Sequence, residues 1–249
     1  MALFKSGNPA LRANTFTSFE GVAAEDAMTL QGTVNKTGIM LLALFLPAMY
    51  TWNLFSSTGD FSVIAPYFYV GLIGGLIVGL VIGFKKHLAP ALAVVYAALE
   101  GLALGGLSAV FEGTYPGIVI QALMLTFSIF AVLLVVYKME IIKPTENFKL
   151  IVASGTAGLA FYYVLSLGLS FFGIQAPLIH ENTTMGIIFS LVAVALASMN
   201  LVVDFDFIEQ GVVLKAPKYM EWYGAFGLMV TVIWLYIELL RLLAKSRRR

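Results

Sequence analysis

Apolar residues in this chain come in long runs separated by short polar stretches, at about residues 38–55, 65–84, 89–111, 116–137, 151–172, 184–205 and 220–243. Each run is near or above the roughly 18 residues that a helix needs to cross a hydrocarbon core about 30 Å thick. The roughly ten-residue alternating segments of a membrane barrel are not visible. Lipid offers no partner for backbone N–H and C=O groups, so spans of this kind must close their hydrogen bonds internally, as helices. Seven membrane-spanning helices are therefore predicted, the first of them short and interrupted by Pro47. The connections are short, which predicts antiparallel neighbours in one bundle. The fold class is all-α integral membrane, with residues 1–36 as a polar N-terminal tail, 37–245 as one seven-helix domain and 246–249 as a basic end. The first 36 residues hold no apolar run that could serve as a signal-peptide core.

Composition agrees with this pattern. Of the 249 residues, 60% are hydrophobic and 12% charged, where a soluble domain carries about a quarter charged residues. A net charge of +1 leaves no basic excess for nucleic acid. The absence of cysteine removes disulfides, thiol nucleophiles and cysteine metal sites. The cations are unevenly placed. Numbering the two sides alternately, one receives Lys5, Arg12, Lys36, Lys85, Lys86, Lys138, Lys143, Lys149, Lys215 and Lys218, while the other side's loops, near Asp60, Glu112 and His180, receive none. The positive-inside rule then puts the N-terminus in the cytoplasm. Arg241, Lys245 and Arg247, Arg248, Arg249 break the rule if the last helix crosses, and obey it if that helix re-enters; the length of 220–243 favours a crossing.

Two kinds of residue stand out inside the spans. Gly71, Gly75, Gly79 and Gly83 recur every four residues on the second helix, and Gly101 and Gly105 repeat the spacing on the third. Such stripes let helix backbones approach closely. Ionisable groups within a span are costly and mark sites of function or of pairing. Glu100 lies mid-helix; Asp204, Asp206 and Glu209 close the sixth span, with Asn200 one turn deeper on the face of Asp204; Glu238 and Arg241 stand three apart, within pairing distance. Carboxylates at a helix end near water are commonly just solvated, and an interfacial Glu–Arg pair is commonly structural. Catalysis is not expected. His87 and His180 both lie in loops, no nucleophile elbow, zinc-binding His pair or Walker loop is present, and Asp204 and Asp206, two apart on a helix, point to nearly opposite faces. No catalytic residue, resident metal or cofactor is assigned.

The strings Ser6-Gly7-Asn8-Pro9-Ala10-Leu11, Met28-Thr29-Leu30-Gln31-Gly32-Thr33, Leu99-Glu100-Gly101, Asp204-Phe205-Asp206-Phe207-Ile208-Glu209 and Leu239-Leu240-Arg241-Leu242-Leu243 together resemble a bacterial branch of the Bax inhibitor-1 family. The resemblance covers the whole chain. It implies a seven-helix membrane fold of the Bax inhibitor-1 type with the last helix amid the other six, in a bacterial inner membrane. It also implies an association with pH-sensitive calcium leak and with suppression of cell death or membrane-protein quality control. In that family an Asp near the end of the sixth helix faces an Asp on the seventh, and the pair senses protons. Asp204 matches the first. Counting back ten residues from Arg241, the second falls at Thr231, which does not ionise. Asp206, Glu100 or Glu238 would then have to substitute. Protons and divalent cations compete for a carboxylate, so a leak that closes on acidification is the expected behaviour. The implied partners are the lipid bilayer, a transient calcium ion and a membrane-protein partner such as a protease. Two other classes fit the residues: an interaction protein that docks through its tail and basic loops, and a proton-coupled transporter of a small solute with Glu100 and Asp204 as relay groups.

Overall fold

In a computed structural model, residues 26–173 and 183–247 are described. They form seven long helices: α1 Leu30–Thr58, α2 Phe61–Phe84, α3 Ala89–Thr114, α4 Ile118–Lys138, α5 Glu146–Ser170, α6 Thr184–Val213 and α7 Met220–Arg247. All seven are long and apolar enough to cross a membrane, and no strand occurs among the described residues. The β structure among them is one isolated bridge, Ala27 to Pro217.

Local chemistry sets the helix ends, and several differ from the limits of the apolar runs. Thr29 caps α1 by accepting from the Gly32 N–H at 2.9 Å. The first two turns of α1 therefore lie within the polar stretch assigned to the tail, and Lys36 belongs to a helix. Hydropathy does not register these turns because Gln31, Thr33, Asn35 and Lys36 fill them. Gly59, at φ 67°, ends α1 in the left-handed conformation that glycine adopts without strain. Asp60 then caps α2, accepting from Ser62 Oγ at 2.7 Å and Ser62 N at 2.8 Å, and these two bonds hold its carboxyl below the usual carboxylate range. Thr145 caps α5 through the Phe148 N–H, so α5 begins at Glu146 rather than near 151, and Lys149 is helical. Thr183 caps α6 through Gly186 N at 3.2 Å.

The described chain divides into two compact units, one of residues 26–119 and 207–230, the other of residues 120–173, 183–206 and 231–247. In the first, α3 receives close contacts on two sides. A Cβ on Gly71 would lie 2.5 Å from the Leu99 carbonyl oxygen, one on Gly75 would meet the Glu100 carboxylate at 2.7 Å, and one on Gly79 would meet the Tyr96 ring at 3.3 Å. Gly101 and Gly105 face the backbone carbonyls of Leu44 and Ala48 on α1. Small residues here let helix meet helix backbone to backbone. Gly83 departs from the expected stripe: a Cβ there would meet nothing within 4 Å, so the packing period stops at Gly79. The outward side of α2, with Val70, Ile73, Leu76, Ile77 and Leu80, remains exposed, an apolar surface that suits lipid and not water.

The same unit ties the segment before α1 to the start of α7. Met28 N donates to Ala216 O at 2.6 Å and Lys218 N to Asp26 O at 2.8 Å. Met28 packs with Ile208, Ala216 and Met220. Glu221 has no exposed surface; it accepts from Thr29 N at 2.9 Å, Thr29 Oγ1 at 2.8 Å and the Lys36 ammonium, with Lys218 Nζ at 3.5 Å.

In the second unit, Lys245 on α7 donates to Gly186 O and Ser190 Oγ, both at 2.9 Å, and Arg247 Nη2 to Gln121 Oε1 at 2.9 Å. The end of α7 thus lies beside the starts of α6 and α4, opposite the α4–α5 turn that carries Lys143. α7 is one uninterrupted helix of 28 residues, about 42 Å long at 1.5 Å per residue and so long enough to cross.

Candidate functional site

Asp204 sits on α6 and, among the described residues, carries the buried side-chain oxygen that is left over. Its side chain takes a hydrogen bond from the Thr231 hydroxyl on α7, while Oδ2 is out of contact with solvent and has no hydrogen-bond partner. Buried polar atoms are almost always satisfied, so a buried carboxylate oxygen without a partner marks the place as one where a proton or a cation would be held. The residue that faces Asp204 is the position the count from Arg241 picks out, and it carries a hydroxyl where a second carboxylate was expected.

The remaining candidates are engaged elsewhere. Asp206 Oδ2 is 2.6 Å from Lys149 Nζ, whose side chain is 8% exposed and also lies 3.5 Å from Glu146. Asn200 is turned to α5: its Nδ2 donates to Thr156 Oγ1 at 2.7 Å and back to Leu196 O at 2.9 Å. The stripe of Asn200 and Asp204 is present on α6, but its two members are bound by different helices. Glu238 is 1% exposed, and its Oε1 accepts from Tyr163 OH at 2.8 Å, Arg241 Nη1 at 3.0 Å and Trp234 Nε1 at 3.3 Å. The Arg241 guanidinium lies 5.3 Å from the Tyr163 ring centre. A buried carboxylate with three donors, one of them charged, is a satisfied anchor between α5 and α7. Glu100 belongs to the other unit, where Tyr96 OH donates to it and Gly75 clears the space it occupies.

Several residues of this seam escaped a reading of single spans. Lys149, Thr156 and Tyr163 on α5, Ser190 on α6 and Lys245 on α7 are polar groups whose partners lie on other helices. The available signal was a seven-residue spacing, close to two helical turns, that puts Lys149, Thr156 and Tyr163 on one face of α5 and Thr231, Glu238 and Lys245 on one face of α7. No group of three or more His, Cys, Asp or Glu side chains converges among the described residues. A cation at Asp204 would draw its other ligands from hydroxyl and carbonyl oxygens or water.

Seven apolar helices, outward apolar surfaces and a buried polar seam define an integral, multi-pass membrane protein. The model of the family described as Bax inhibitor 1 like matches residues 8–248, nearly the whole chain, and the chain belongs to that family. No match is found among curated proteins or among solved structures.

Proposed function

We propose that the protein is a pH-responsive cation leak of a bacterial inner membrane, calcium being the cation to test, with Asp204 as the group for which protons and cations compete. The observation that carries this reading is the buried Oδ2 of Asp204 without a hydrogen-bond partner. A deprotonated oxygen there attracts a cation; a proton on it removes both the charge and the ligand. Acidification accordingly lowers the flux. Membership of the family supports the reading, and the ten-to-none division of Lys and Arg between the loops of the two sides supports an N-terminus in the cytoplasm. No catalytic step is part of it.

Thr231 limits the response to one carboxylate at this place. A single titrating group changes the flux by at most about tenfold per pH unit. In liposomes containing a calcium-sensitive dye, the purified protein is expected to pass calcium faster at pH 8 than at pH 6. Asp204→Asn is expected to flatten the pH profile, and Thr231→Asp, which supplies the second carboxylate, to steepen it. A profile unchanged by both substitutions removes Asp204 from the mechanism. Saturable uptake of one small solute in the same vesicles would instead favour a proton-coupled transporter.

A further inference from the structure

The last two turns of α2 carry a feature that neither helix packing nor Asp204 accounts for. Ile77, Leu80, Val81, Phe84 and Lys85 line an open groove of about 310 Å³. Ile77 and Leu80 are exposed, and Phe84 is 87% exposed. A Cβ added to Gly83 would meet nothing within 4 Å, so the same turn is open on that side too. An apolar surface left uncovered in this way suits a hydrocarbon chain.

Cations stand at the end of the groove. Lys85 is its polar wall and directly follows the last residue of α2, where the apolar span gives way to its flanking polar residues. Lys86 comes next, and its ammonium lies 5.3 Å from the ring centre of Tyr223 on α7. Lys36, Lys143, Lys149 and Lys218 each have a carboxylate within 4 Å. Among the described residues Lys85 and Lys86 have none, so their charges are not neutralised by the fold. An apolar groove ending in two such cations is complementary to a molecule with a hydrocarbon chain and a negative head.

We propose that this groove binds one anionic phospholipid, its acyl chain along Ile77, Leu80, Val81 and Phe84 and its phosphate at Lys85 and Lys86. Every lipid-facing helix meets acyl chains; the two ammonium groups make this place selective for charge. A lysine near an anionic headgroup is worth about fivefold in affinity. The site does not depend on the leak reading, since no ion has to pass for a lipid to bind.

Binding of phosphatidylglycerol and of phosphatidylcholine to the full-length protein in detergent is measured by native mass spectrometry for the wild type, Lys85→Gln, Lys86→Gln, Leu80→Trp and Lys138→Gln. The wild type is expected to prefer phosphatidylglycerol about 25-fold, the product of two such lysine contributions. Lys85→Gln and Lys86→Gln each lower the affinity for phosphatidylglycerol about fivefold and leave phosphatidylcholine unchanged. Leu80→Trp fills the groove and lowers the affinity for both lipids. Lys138, at the end of α4, also has no carboxylate within 4 Å among the described residues, and Lys138→Gln leaves binding within about twofold of the wild type. An equal loss in Lys138→Gln would mean attraction to the whole basic face in place of a site, and overturns the proposal. Equal affinity for the two lipids, or a preference that neither Lys85→Gln nor Lys86→Gln reduces, overturns it as well. Phosphatidylglycerol with a photoactivatable group on its acyl chain should cross-link within residues 77–84, and cross-links confined to other helices overturn the groove as its seat. If Leu80→Trp does not fold, this cross-link decides the position of the chain.

Discussion

Glu221→Ala is expected to lower the stability of the protein by about 3 kcal/mol, the usual cost of removing one partner from a buried ion pair. The carboxylate sits at the first turn of α7 with no exposed surface, and its two oxygens take the Thr29 N–H, the Thr29 hydroxyl and the ammonium of Lys36, with Lys218 at 3.5 Å. Alanine would leave the partly covered Lys36 ammonium and the Thr29 donors before α1 without this acceptor. Gly32 lies against this carboxylate and has no side chain to fill the space it would leave. Glu221→Gln keeps the shape and one acceptor and should cost about half as much, through the lost charge. Lys36 Nζ lies 5.5 Å from the Trp222 ring centre, so tryptophan fluorescence of the detergent-solubilised protein, with Trp52 and Trp234 replaced by Phe, reports on this contact. A fall of about 10 °C in the unfolding midpoint is expected for Glu221→Ala. A midpoint within about 2 °C of the wild type would show that the cluster holds nothing together.

The second large effect belongs to α3. Gly105→Val is expected to cost about 3 kcal/mol or to prevent folding, because a Cβ at residue 105 would overlap the Ala48 carbonyl oxygen and the Thr51 hydroxyl on α1. A flexible side chain can swing away from an added methyl group, but a helix backbone has to shift as a whole. Such a shift would also reach Gly101, which rests against the Leu44 carbonyl one turn away. Gly83→Ala is the matched control: nothing lies within 4 Å of its added Cβ, and alanine favours the helix by about 1 kcal/mol over glycine. Yield of monodisperse protein and its unfolding midpoint should fall sharply for Gly105→Val and hold or rise for Gly83→Ala. Equal behaviour of the two would remove close backbone packing as the reason for the glycines of α3.

The same contrast shows how far a reading of the chain reaches. Gly71, Gly75, Gly79 and Gly83 are indistinguishable as a four-residue repeat, yet three meet α3 and one meets open space. Spacing puts residues on one face of a helix; it does not say how far along that face the neighbour extends. Lys36 and Lys149, counted with tail and loop from their charge, lie in helices because Thr29 and Thr145 begin those helices earlier than the apolar runs do. Asp204 and Thr231 were reachable through the family resemblance and the count from Arg241 that it suggests. That the Thr231 hydroxyl meets one oxygen of Asp204 and leaves the other bare was not.

Seven spans and the cationic loops could be recognised without coordinates, because transfer into lipid depends on the composition of each segment alone and a run of about 20 apolar residues has one stable form there. Which carboxylate is satisfied depends on groups far away in the chain, 75 residues for Glu238 with Tyr163 and 192 for Glu221 with Thr29. Along the chain Glu238 has Arg241 within pairing distance and Asp204 has other carboxylates and Asn200 near it. Its own helix gives Glu238 two donors, Trp234 and Arg241, but packing decides that Tyr163 adds a third and that Asp204 keeps an oxygen with none, because a hydrogen bond needs a partner within about 3 Å and only the assembled helices set that distance for groups on different helices.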